Sequence, residues 1–207
     1  SQSFRPQTGI VLVYEAPHGN GIRVDSGIRQ GSEISPYYDA MIAKLIAWGE
    51  TRDVARRRLV NALRGTTILG LTTNKAFLLQ LLDHPDFVSG SATTTMIDDA
   101  VLYRAAQFAL PTIDELSLAA VTLHAGHGQL ANWSNAESML RKEVFEHAGE
   151  RSVVHLLSTP GGFEVAVGDE SRRIAVKACA NGRLGNVLDG VSSTFAYVPV
   201  SYTHLLA

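Results

Sequence analysis

A single cysteine, Cys179, stands among 207 residues. An internal disulfide and a cysteine-rich zinc site are therefore excluded, and the usage fits a reducing compartment, the cytoplasm or equally a mitochondrial matrix. Charge of one sign is also scarce. The net charge of −2 gives no electrostatic ground for a nucleic-acid or anionic-membrane partner. No apolar run is long enough to cross a bilayer, and the opening SQSFRPQTG lacks the basic-then-apolar order of a signal peptide. A soluble chain is expected. Glycines in HGNG and GGF are not followed by Lys and Ser/Thr on a helix, so there is no P-loop, and no G-x-S-x-G elbow marks a hydrolase serine. Low-complexity segments and solenoid repeats are missing as well. The first residue is not methionine, and PVSYTHLL near the end falls out of an alternating pattern. Both ends are expected to be cut from a longer protein; loss of the initiator methionine alone is the plainer alternative.

What is present is globular in composition, 45% hydrophobic and 18% charged, and long enough to build a core without staples. GIVLVYEAP and GIRVDSGI read as strands parted by a turn at Pro17, Gly19, Asn20 and Gly21. A further strand is expected from about Ala40 to Trp48. Met41, Ala43, Leu45 and Ala47 share one face of it, and Ile42, Lys44, Ile46 and Trp48 the other. Both faces are largely apolar, which predicts a strand covered on both sides except near Lys44, the lysine sitting where burial costs most. A buried ammonium needs a partner or a wet cavity, and Asp39 is the nearest candidate. Arg23 alternates with Ile22 and Val24 and so points to solvent or a cleft.

Helical spacing follows at Val54, Leu59, Val60 and Leu63, with Thr51 as N-cap and Asp53 in the first turn. Arg56, Arg57 and Arg58 are expected to cover the rest of that surface. TTILG reads as a short strand and TTNKAFLLQLLDHPDF as a second helix stopped by Pro85, with the polar GSATTTMIDD turn-like after it. The arrangement is α+β. From Val101 to Gly128 the chain reads as helix interrupted at Pro111, with Thr112 and Glu115 at capping-box spacing. After a loop around ANWSNAES, short strands at even spacing (SVVHLLS, FEVAVG, RRIAVKACA, RLGNVLDG, TFAYVPV) suggest a small antiparallel barrel or sandwich. His124 and His127, three apart, could form a ligand pair, but no third ligand is near in sequence, and surface or loop histidines fit better.

FRPQTG, GIRVDSGI, ISPYYDAMIAKLIAWGETRDVARRRLVNAL and LGLTTNKAFLLQLLDHPDF together closely resemble the C-terminal domain of biotin carboxylase, the ATP-grasp enzyme that carboxylates biotin in acyl-CoA, acetyl-CoA and pyruvate carboxylases. The likeness covers about the first 95 residues. It implies chemistry in which ATP and bicarbonate form carboxyphosphate, whose carbon dioxide is taken up by N1 of biotin. It also implies a role for the arginine of the G-I-R strand, here Arg23, as the catalytic stabiliser of the enolate-like ureido oxygen of biotin. Tyr38, Asp39 and Lys44 match the family pattern and are assigned to supporting the site's wall. The family's glycine-rich ATP lid, nucleotide-contacting lysines and Mg2+-binding glutamates have no counterpart here, so the isolated chain is expected to be inactive.

The second half resembles the region that follows the carboxylase domain in α subunits of the 3-methylcrotonyl-, geranyl- and propionyl-CoA carboxylases. There a helix leads into an antiparallel barrel that holds the carboxyltransferase β subunit. The resemblance rests on LPTIDELSLAAVTLHAG, WSN near residue 133, and the strands up to VLDGVSSTFAYV. It divides the chain into residues 1–98, a biotin carboxylase C-terminal domain, and 99–207, a helix plus β-barrel that binds the β subunit. The implied setting is a hetero-oligomer with a biotin carboxyl carrier domain. The carrier's lysine between two methionines is missing, since Met41, Met96 and Met139 are not so arranged. The competing reading is a complete, non-catalytic protein-binding module.

Overall fold

The computed structural model describes residues 7–37, 39, 41–98, 110–125, 140–147, 149–180, 182–200 and 203–206. It divides into two compact units, residues 1–109 and 110–207.

In the first unit, strands occur as three antiparallel pairs. β1 (Gly9–Ile10) pairs with β4 (Glu33–Ile34), β2 (Val13–Glu15) with β6 (Thr67–Leu69), and β3 (Ile22–Ser26) with β5 (Ala43–Ala47). The single strand expected over GIVLVYEAP is thus split. Val11 is fully buried at the break, its N–H donating to the Ser32 carbonyl at 2.9 Å, and the next N–H, of Leu12, donates to Leu69 at 2.8 Å. The chain passes there from one partner strand to another. Gly70 permits the crossing: its φ is +101°, and a Cβ would lie 2.1 Å from the Ile10 carbonyl oxygen.

Helix α1 (Arg52–Gly65) begins as expected, the Thr51 hydroxyl accepting from the Val54 N–H at 3.2 Å, with Asp53 in the first turn. Helices α2 (Lys75–Asp83) and α3 (Pro85–Ser89) follow, then a 3₁₀ turn at Thr94–Asp98. Val60, Leu63 and Leu82 form the core, against which Leu45, Leu59, Leu78, Leu79 and Phe87 pack. The C-terminal end of α1 is closed by a side chain from the next helix. Lys75 Nζ donates to the carbonyls of Thr66 (2.6 Å) and Arg64 (3.2 Å), and partial burial lowers its pKa. A cation on the last carbonyls of a helix also suits its dipole.

Arg56 to Arg58 do more than coat a surface. Arg56 is largely buried and pairs with Asp83 (2.9 Å) and Asp53 (3.4 Å), while donating to the Leu82 carbonyl at 3.2 Å. It ties α1 to α2. Arg57 pairs with Asp53 at 3.1 Å. Arg58 donates to the Trp48 carbonyl at 2.8 Å and lies 6.0 Å from the centroid of its indole.

In the second unit, helix α4 (Ile113–Ala125) opens with the expected capping box. The Thr112 N–H donates to Glu115 Oε2 at 2.7 Å, and the Glu115 N–H to Thr112 Oγ1 at 3.3 Å. Seven strands come next: β7 (Leu140–His147), β8 (Glu150–Thr159), β9 (Gly162–Val167), β10 (Glu170–Ala180), β11 (Arg183–Leu188), β12 (Val191–Val200) and β13 (Thr203–Leu206). Each pairs antiparallel with its neighbours in sequence. The sheet curls about α4. Leu116, Ala120 and Val121 meet Val154, Leu156, Phe163, Val165, Ile174 and Leu184, with Phe145, Leu188, Phe195 and Tyr197 packed around them. Among the described residues β7 and β13 end the ladder, and no pairing closes it into a barrel. Small side chains, Ser117, Ala119 and Ala120, let the helix lie close to the strands.

Two strands were not among those expected. β7 reads LRKEVFEH, and its charges mask a period-2 pattern in which Arg141, Glu143 and Phe145 are the less exposed residues. THLL, expected to be unpatterned, pairs with the end of β12. Within β10 the register shifts between Val176 and Ala178. The bulge reverses the alternation, so that Cys179 joins Ile174 and Val176 against the core.

Candidate functional site

Residues directly opposite in an antiparallel pair share a face, so the register of β3 on β5 sorts this ribbon. Ile22, Val24 and Ser26 lie across from Ala47, Leu45 and Ala43. Leu45 packs on the core of α1 and α2, which marks this as the covered face. Arg23 and Asp25 lie across from Ile46 and Lys44 on the other face. A lysine stands among apolar residues here because the Leu45 face packs on the helices while Lys44 lies on the opposite, exposed face.

Arg23 keeps 73% of its side chain exposed, as the alternation in GIRVDSG implied. Its guanidinium is nonetheless fixed: Nε donates to Asp25 Oδ1 at 2.8 Å and Nη2 to Asp25 Oδ2 at 2.9 Å. The side-on fork raises the arginine's pKa and, chiefly through the same hydrogen bonds, holds the Asp25 carboxyl below the ordinary aspartate range, with the Lys44 charge adding a smaller push. Asp25 was not among the residues picked from the sequence. Its i,i+2 spacing from Arg23 on a strand was the available signal, since such residues share a face.

Lys44 is exposed, so the buried ammonium expected from its apolar neighbours is not observed. Its opposite number is Asp25, not Asp39. Asp39 caps the approach to β5 instead, Oδ1 accepting from the Met41 N–H at 3.3 Å. Tyr38 lies outside the described residues. At the far end of the ribbon the Trp48 N–H donates to the Gly21 carbonyl at 2.8 Å. Gly21, with φ +75°, leaves room for Arg58, whose Nη1 would sit 2.6 Å from a Cβ placed there. The ribbon that carries Arg23 is therefore anchored at its start by α1.

Residues 1–99 match the family model described as the biotin carboxylase C-terminal domain. That half of the chain is a biotin carboxylase C-terminal domain. Its curated relatives include a pyruvate carboxylase of Pichia angusta, 46% identical over 100 residues, 48% of this chain and 8% of that protein. The α subunit of mitochondrial methylcrotonoyl-CoA carboxylase of Dictyostelium discoideum is 34% identical over 201 residues, 90% of this chain and 28% of that protein. The likeness to it runs well past residue 99. Among solved structures, the complete multifunctional pyruvate carboxylase from Rhizobium etli is similar with a TM-score of 0.51 and 33% identity, over 58% of this chain and 11% of that one. The chain thus spans between 8% and 28% of the curated relatives just named.

Among the described residues, no three His, Cys, Asp or Glu side chains converge as a metal site. Asp25, the acid on the open face of the biotin carboxylase domain's ribbon, is already engaged by Arg23. These residues do not fit a Mg2+ site. His124 Nε2 lies 3.0 Å from Glu143 Oε1, with Arg141 on its other ring nitrogen. It is partly buried between α4 and β7 rather than a loop residue, and His127 lies outside the described residues. No described helix is long and apolar enough to cross a membrane.

Proposed function

We propose that this chain is part of the α subunit of a biotin-dependent acyl-CoA carboxylase and supplies one wall of its biotin carboxylation site. Arg23 carries the reading. A guanidinium held rigidly on an open sheet face is suited to a developing oxyanion, which it stabilises without transferring a proton. In the proposed reaction the oxyanion is the ureido oxygen of biotin, which gains charge as N1 takes up carbon dioxide derived from bicarbonate. ATP and Mg2+ would be bound by an ATP-grasp portion outside these residues, so the chain alone is inactive.

Residues 99–207 are assigned to docking the carboxyltransferase β subunit, beside a biotin carboxyl carrier domain, in a hetero-oligomer. The likeness to a methylcrotonoyl-CoA carboxylase α subunit across 90% of the chain supports this, as does a helix followed by an antiparallel meander. A bacterial cytoplasm or a mitochondrial matrix fits the chemistry.

The test is to fuse the chain to the ATP-grasp portion of a biotin carboxylase and follow biotin-dependent ATP cleavage. Arg23→Ala should lower kcat by about 10²–10³, the loss typical of removing one oxyanion donor. Unchanged turnover would overturn the assignment.

A further inference from the structure

The sheet of the second unit has one face on α4 and one turned away from it. Val154 and Leu156 of β8 are buried in the core with α4, so alternation turns Val153, His155 and Leu157 outward. Register then sets Val144 across from Val153, Lys142 across from His155 and Leu140 across from Leu157 on that outer face. Along its length the β7–β8 ribbon therefore presents an apolar pair, a basic pair and a second apolar pair. We propose that this face is where the carboxyltransferase β subunit docks, through a segment that sets a carboxylate between two apolar side chains. This rests on the docking role given above to residues 99–207, and adds to it the surface and the chemistry of the match.

Three features support it. Exposed large apolar side chains gather here: among the described strand residues of the second unit, Leu140 (65%), Val144 (55%) and Val153 (38%) lie on this face, and only Val191, at the start of β12, lies elsewhere. By contrast, the outward residues of the neighbouring strands include Glu164, Arg173 and Thr194. Next, the basic centre has no answering acid. Glu146 and Arg151 at the end of the ribbon pair with each other at 3.1 Å, whereas Lys142 forms no ion pair among the described residues. Finally, the placing of the cation selects the partner. A purely apolar surface would bury Lys142 unpaired, and a second copy centred on the same face would bring lysine towards lysine; a carboxylate flanked by apolar groups meets both requirements. Single apolar side chains scattered over a sheet are ordinary and call for no partner. That is the alternative to be separated.

The chain as it stands is titrated with the purified β subunit of a methylcrotonoyl-CoA carboxylase, and the dissociation constant is read by calorimetry. Lys142→Glu should weaken binding at least about thirtyfold, because it sets like charges together in a desolvated contact. Val144→Asp should weaken it at least about tenfold by placing a charge where an apolar contact is made. Arg173→Glu, on the outer face of β10, should bind within about twofold of the unaltered chain. All three positions are exposed, so circular dichroism and the thermal midpoint should stay unchanged and separate lost contact from lost fold. If the unaltered chain binds and both β7 variants bind as tightly, this inference fails and the docking role of residues 99–207 stands. Equal weakening by Arg173→Glu would also overturn it, since general charge rather than this face would then govern binding. If the unaltered chain does not bind the β subunit, both fail.

Discussion

At the scale of single residues, the pair formed by Cys179 and Tyr197 lends itself to titration. The thiol and phenol lie 3.1 Å apart across β11, and the hydrogen bond to Cys179, helped by burial and by the thiolate charge, pushes the Tyr197 hydroxyl up to about 12. Hydrogen bonding and burial both favour the protonated phenol. Stability from this contact should therefore be complete below the ordinary tyrosine range, near pH 10, and be lost as pH rises through about 12. Cys179→Ala should return the tyrosine towards its ordinary range, read as an ultraviolet phenolate titration that moves to lower pH. An unmoved curve would show that burial alone sets it. The outward direction of Arg23 was legible in the sequence because alternation fixes which way a strand residue points. Lys44 was misread because alternation does not say whether a face is covered. An apolar neighbour such as Ile46 looks the same beneath a helix and in the open.

Among elements, helix starts were the most legible features, since a cap is a local chemical arrangement complete within four residues. Thr51 and Thr112 both cap as their spacing predicted. Thr51→Ala and Thr112→Ala should each reduce stability by about 1 kcal/mol, the usual loss for a capping hydroxyl, measured as a lowered urea midpoint. An effect below about 0.3 kcal/mol at Thr112 would mean that Glu115 alone satisfies the helix start. Strands were harder to place. β7 carries charge at alternate positions on both faces, so no apolar stripe betrayed it, and its pairing with β8 is a tertiary fact. The split of β1 from β2 likewise depends on Ser32 and Leu69, residues far along the chain. Arg56 to Arg58 looked like a solvated run, yet two of the three reach backbone carbonyls of other segments. Charge content alone does not distinguish a coat from a clamp.

Across the whole molecule, each unit has a core of its own, one around Val60, Leu63 and Leu82 and the other around Leu116, Leu156 and Phe163. We expect the two to unfold as separate transitions. Leu63→Ala and Leu156→Ala should each cost about 2–5 kcal/mol, the range for emptying a buried leucine site, and each should shift one transition while leaving the other in place. A common shift in both would show that they melt as one body. The second unit also has an unusual order of assembly. α4 precedes every strand that encloses it, and each strand after β7 pairs with the one just before it. Short closures between sequence neighbours are the entropically easy ones. A chain leaving the ribosome could therefore lay down the helix first and then wind the sheet around it strand by strand, each arrival finding its partner already made.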